Sequence, residues 1–163
     1  MSILASERLA GLDLILPAVP TPAGAYLPAV RNGNLVFTAG QLPFVDGVLP
    51  YTGLVDQHGP GSDGGARVSV EQAYTCARIC TLNALAAVAS VTGSLDVVSG
   101  IVKVTGFVAS APGFAGQPEV MNGASELLGS IFGESGRHAR SAVGVAALPK
   151  NAPVEVELIV SVR

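Results

Sequence analysis

Two stretches near the end of the chain carry side chains that could do chemistry. Arg140 opens the run SAVGVAA, among small residues that leave its guanidinium room, and Glu155 begins the later run VEVELIV. Read as a strand, the second run puts Glu155 and Glu157 on one face and Val154 and Val156 on the other. Two carboxylates in so apolar a strand are costly unless they are wet or paired. Either they face solvent along a sheet edge, or one meets a cation in a cleft. Other reactive groups offer less. Cys76 and Cys80, the only cysteines, sit four apart on a helical pattern and make neither a disulfide framework nor a four-ligand metal site. They read as two small buried hydrophobes in a reducing cytosol. His58 and His138 lie far apart without acidic neighbours at ligand spacing, so no metal is expected, and each reads as a solvated loop residue. Gly-x-Ser-x-Gly is absent. The Gly-rich stretch DQHGPGSDGGA (56–66) lacks the Gly-Lys-Ser/Thr ending of a phosphate cradle and reads as a flexible loop.

The elements that must position these residues can be read from the same pattern. Ile3–Leu12 suits a short amphipathic helix, and LPAVPTPAG (16–24) an extended connector, because proline forbids helix and biases its predecessor to extended geometry. Leu27–Val30 and Leu35–Ala39 flank an Asn-Gly pair, a strong hairpin signal, and Asp46-Gly47 suggests a second tight turn. Ser69 with Gln72 forms a capping box for a long helix whose face carries Ala73, Ala77, Cys80, Ala84, Ala87 and Val88 and which ends at Gly93. So many alanines let a neighbouring surface approach closely. Ile101–Val108 reads as a strand buried on both faces, and Pro118–Phe132 as a second long helix ending near Gly133. Ser141–Ala147 and Val154–Val162 complete the set, with a turn at Leu148-Pro149-Lys150-Asn151 between them. The order predicts an α+β fold with helices on one face of a sheet.

Composition sets the outer limits. A chain of 163 residues is one domain's worth, and 49% apolar content excludes disorder. Charged residues are only 13%, against a usual share of about 25%. A chain of this mass would expose roughly 7,500 Å² when folded alone, and 21 charged side chains must dress that area. Copies of the chain are therefore expected to cover part of one another. The net charge is −3, and the two lysines and seven arginines are scattered, which argues against nucleic-acid binding. The uncharged stretches Leu14–Val30, with four prolines, and Ile79–Leu95, studded with polar residues, both fall short of the roughly 20 apolar residues of a membrane span. With no targeting segment apparent at MSILASERLAGLD, a cytoplasmic protein is expected.

The run RSAVGVAALPKNAPVEVELIV resembles the closing signature of the RidA (reactive intermediate deaminase, YjgF-like) family: arginine, a small residue, a V-x-V strand, Leu-Pro, then V-E-x-E. GAYLPAV (24–30) resembles that family's Gly-Pro-Tyr segment, NLVFTAGQLP (34–43) its strand ending in Ser-Gly-Gln-x-Pro, and VMNGASELLGSIFG its Asn-bearing second helix. The longer N-terminus is similar to a less-studied branch. The resemblance implies a single domain, 1–163, with an N-terminal extension over 1–21 and a core over 22–163. It implies a bacterial chorismate mutase-like fold, a mixed sheet with two helices on one face, and a homotrimer with clefts between subunits. The implied activity is hydrolysis of 2-imino (enamine-derived) acids to 2-keto acids and ammonia, without metal or cofactor. The alternative is a non-catalytic trimer that binds a small carboxylate as a sensor or regulator.

Carried over by motif, Arg140 would hold the substrate carboxylate through two parallel charge-assisted hydrogen bonds. Glu155 would position and deprotonate the attacking water. Tyr26 would line the cleft from a neighbouring subunit, Asn122 would shape its rim, and backbone groups around Gly40 and Ala142 would complete it. This chain departs from the family where Ala142 replaces a frequent Cys and His138-Ala139 replaces Pro-Ala or Pro-Ser.

Overall fold

A computed structural model of the chain describes residues 3–19, 24–59 and 65–163. Its framework is a five-stranded mixed sheet of β1 (Ala29–Asn32), β2 (Leu35–Thr38), β5 (Val98–Ala109), β6 (Ala139–Val145) and β7 (Val154–Val162) in the order β1-β2-β7-β5-β6. A separate parallel pair joins β3 (Leu54–Val55) to β4 (Arg67–Val68). Among the described residues, three α-helices accompany the sheets: α1 (Ala5–Gly11), α2 (Val70–Thr92) and α3 (Gln117–Phe132). The short α1 falls within the helix expected over Ile3–Leu12, and it rests on α3 rather than on the sheet. Ser6 anchors α1 by donating through both its backbone N–H and its hydroxyl to the Asp96 carboxylate, at 2.9 and 2.8 Å.

Local chemistry explains where these elements begin and end. The Ser69 hydroxyl accepts from the Gln72 N–H at 3.2 Å while the Gln72 amide accepts from the Ser69 N–H at 3.0 Å, satisfying two donors that the start of α2 would leave bare. Gly93 then stops α2 in the left-handed region, at φ 81°. In the first hairpin Asn32 faces Leu35, so the two central turn residues are Gly33 and Asn34. Gly33 takes φ 62°, the glycine-first pattern of a II′ turn, one residue later than an Asn-Gly I′ turn would sit.

The core lies between the sheet and the α2–α3 layer. Ala73, Ala77, Cys80, Ala84, Ala87 and Val88 of α2 are all buried, as their spacing predicts. Val104, Val108, Val156, Leu158 and Val160 meet them from the sheet, with Met121, Leu127, Leu128 and Ile131 from α3. At 23 residues α2 is long and apolar enough for a membrane span by length and composition, yet its apolar face packs against α3 and β7. Among the described residues, the opposite face of the sheet carries no helix. Along β7 buried residues alternate with half-exposed Glu155, Glu157, Ile159 and Ser161. β5 behaves likewise, which corrects the expectation of a strand buried on both faces: Lys103, Thr105 and Phe107 are only half-buried because no second layer covers them within one protomer.

The turn Leu148–Asn151 does not make a hairpin, because β5 lies between β6 and β7. β6 runs parallel to β5 after the crossover through α3, and this crossover brings the first half of α3 beside Arg140. Parts of the expected connector (residues 20–23) and of the Gly-rich loop (residues 60–64) lie outside the described residues.

Candidate functional site

Arg140 enters from the edge strand β6. Its backbone pairs with Val104, which pairs in turn with Leu158, and both are buried on the helix side. Arg140 therefore points toward α3. Its Nη1 donates to Asn122 Oδ1 at 2.9 Å and to Ser125 Oγ at 3.1 Å, and Nη2 donates to the Pro118 carbonyl at 3.3 Å. All three partners are neutral. Among the described residues no carboxylate pairs with this guanidinium, unlike Arg67 with Asp56 and Arg137 with Glu134. A cleft of about 480 Å³ opens beside it, lined by Ser125, Gly129, Gly136, Arg137, His138 and Arg140.

His138 is half-buried and held at both ring nitrogens, in contrast to the solvated loop residue expected. Nδ1 lies 2.6 Å from the Gly136 carbonyl and Nε2 lies 2.9 Å from the Ser125 hydroxyl. Sequence reading misses the pair because Ser125 and His138 are joined only by the α3-to-β6 crossover. The one signal available is the histidine two residues before Arg140, a spacing that puts both on one face of an extended strand.

Glu155 stands on the other side of the sheet. It pairs with Phe107, and Phe107 with Val143, a row that faces away from the helices. Arg140 and Glu155 do not meet within one protomer. Burial raises the Glu155 carboxyl above the usual glutamate range, and the neighbouring Glu157 charge adds to the effect. Gly40 lies directly against the Glu155 carboxylate. Ala142 shares the face of Arg140, opposite Gly106, where Met121 of α3 packs so close that a side chain on residue 106 would collide with it. Asn122, expected at the cleft rim, accepts a hydrogen bond from Arg140. Tyr26 is exposed beside β1, at the edge of the sheet opposite β6.

The six residues singled out in sequence thus form three groups: Arg140, Asn122 and Ala142 on the helix side, Glu155 and Gly40 on the open face, and Tyr26 at the far edge. The cysteines stay out of all three. Burial pushes the Cys76 thiol up to about 12 and raises that of Cys80 as well, so neither supplies a thiolate at neutral pH. Among the described residues no group of three or more His, Cys, Asp or Glu side chains is placed to hold a metal ion.

The sequence and the fold have counterparts. The family described as "YjgF/chorismate_mutase-like, putative endoribonuclease" matches residues 6–162, a span that takes in nearly all of α1 and, among the described residues, every strand. The chain belongs to the YjgF/chorismate mutase-like family. Among its YjgF-like relatives, the protein TCP17 of Trypanosoma cruzi is 41% identical over the whole of this chain and 99% of its own length. A protein of Dermatophagoides farinae named 2-iminobutanoate/2-iminopropanoate deaminase is 33% identical over 90% of this chain and 93% of its own. The crystal structure of Atu1372 from Agrobacterium tumefaciens, a protein of unknown function, superposes with a TM-score of 0.83 at 40% identity, covering 98% of this chain and 94% of that one.

Proposed function

We propose that this protein hydrolyses reactive 2-imino acids to 2-keto acids and ammonia, without a cofactor, in clefts between subunits of a homotrimer. The observation that carries the reading is Arg140, a cation held by neutral partners at the wall of an open cleft. Such a guanidinium keeps its charge for a ligand, and a planar carboxylate is the ligand its geometry suits. The deaminase named among the relatives supports the choice of reaction.

The step asks little of the protein. A 2-imino acid is already electrophilic at the imine carbon, so positioning and modest base help suffice. Glu155, its basicity raised by burial, takes a proton from water as the water oxygen bonds to that carbon. The resulting carbinolamine loses ammonia once its nitrogen takes up a proton, leaving the 2-keto acid. Arg140 and Glu155 occupy opposite faces of one protomer, and Tyr26 and Arg140 opposite edges. A head-to-tail ring brings the far edge of one copy against the near edge of the next, an arrangement that would unite the three groups.

A second reading, a trimer that binds a small carboxylate without turnover, draws on the same separation of Arg140 from Glu155. The two diverge in an assay in which a pyridoxal-phosphate lyase generates 2-aminoacrylate from serine. The enzyme reading expects keto-acid release above the uncatalysed rate, abolished in Arg140→Ala. Release at the uncatalysed rate, with carboxylate binding intact, leaves the binding protein. Ribonuclease activity fits poorly with a net charge of −3 and scattered basic residues.

A further inference from the structure

Ser125 is the polar side chain that connects Arg140 to His138, and its hydroxyl has one proton to give. The Gly136 carbonyl can only accept, so the proton of the neutral imidazole sits on Nδ1, and Nε2 is bare. The Ser125 hydroxyl must then donate to Nε2, at 2.9 Å. Its oxygen already accepts from Arg140 Nη1, at 3.1 Å. A hydroxyl has one donor and two lone pairs. What Ser125 has left to offer the cleft it lines is a single lone pair.

We infer that Ser125, its proton committed to His138, is a specificity-determining residue of the Arg140 cleft and selects carboxylates that present a hydrogen-bond donor beside the carboxylate. The inference rests on the reading of Arg140 as a carboxylate anchor and adds a substrate class to it. A 2-imino acid has an N–H at that place and satisfies the lone pair. The 2-keto acid formed from it has a carbonyl oxygen there, and two acceptors face each other. The same serine therefore favours the substrate and disfavours the product, which assists release. His138 acts through Ser125 and is a positioning residue.

L-lactate and pyruvate test this directly. They have the same carbon skeleton and charge, and differ in an O–H donor against a carbonyl acceptor. Ligand-observed NMR titration of the full-length protein is expected to give lactate about tenfold tighter binding than pyruvate, the worth of one hydrogen bond and the repulsion it replaces. In Ser125→Ala the ratio falls to about one while pyruvate binding persists. His138→Phe, which frees the serine proton, also removes the preference, and His138→Gln restores it, because the amide oxygen can accept from Ser125. A merely structural role for His138 would weaken both ligands together and leave the ratio alone. Equal binding of the two ligands by the wild type, both lost in Arg140→Ala, overturns the inference and leaves the carboxylate site standing. Binding of neither ligand overturns the carboxylate site and this inference with it.

Discussion

Gly40 lies so close beneath Glu155 that a methyl group on residue 40 would overlap a carboxylate oxygen. The glycine owes its place to that contact rather than to backbone conformation, since its φ is not in the left-handed region. Gly40→Ala is therefore expected to fold normally and to push the Glu155 carboxylate aside. General-base contributions run at about 10²–10⁴-fold, so kcat should fall by roughly 10²-fold. Carboxylate binding at Arg140, on the other face of the sheet, should change little. Wild-type kcat in Gly40→Ala would detach Glu155 from the chemistry.

The raised Glu155 pKa has a thermodynamic consequence of definite sign. A carboxyl that binds its proton more tightly when folded stabilises the fold fully below its unfolded pKa. That contribution is lost as pH rises through the folded value. The window opens at the ordinary glutamate range and closes at the elevated one, which burial and Glu157 set. Denaturant titrations across this window should show stability declining with pH in the wild type. Glu155→Gln should flatten the decline and be the more stable protein at neutral pH. Catalysis needs the ionised form, so kcat/KM should rise over the same interval. A wild-type stability that climbs through it would contradict the assignment of burial as the dominant cause.

How much of this was legible beforehand depends on the range of the interaction. The capping box of Ser69 and Gln72, the glycine stops at Gly93 and Gly133, and the alanine face of α2 are local, and sequence spacing reports them. The insertion of β5 between β6 and β7 is a long-range pairing, and nothing in the turn Leu148–Asn151 reveals it. That insertion decides which face each site residue takes. Strand alternation correctly separates Glu155 from Val156, but it cannot say that Arg140 lies on the valine side of the sheet. The family motif supplies Arg140, Asn122 and Gly40 with no geometry attached. Ser125 and His138 escape both routes, because their contact exists only once α3 and β6 are packed.

Gly129 offers a way to close the cleft without disturbing the fold. It sits within α3, lines the cleft, and has nothing within 4 Å of where a Cβ would be. Gly129→Ala should stabilise the protein by about 0.5–1 kcal/mol through helix propensity alone. Gly129→Phe keeps a helical backbone and fills the space beside Arg140. It is expected to melt no lower than about 2 °C below the wild type, since a surface substitution of this kind costs little, while losing carboxylate binding. Undiminished lactate binding by Gly129→Phe would move the ligand site elsewhere.

The uncovered face of the sheet bears on assembly. Val30, Phe37 and Val143 are 50%, 40% and 43% exposed there, on a chain with only 13% charged residues. Water contact with such a surface is unfavourable by about 25 cal/mol per Å² of apolar area, so a second layer is expected to cover it. Phe37→Asp puts a charge on that face while leaving the core between sheet and helices intact, because Phe37 points away from it. Sedimentation should show a trimer for the wild type and a folded monomer for Phe37→Asp. If Arg140, Glu155 and Tyr26 meet only across copies, the monomer must lose imine hydrolysis altogether, even though its own Arg140 and Ser125 remain in register. A Phe37→Asp monomer with full activity would put the whole reaction within one chain, and the ring would then serve stability alone.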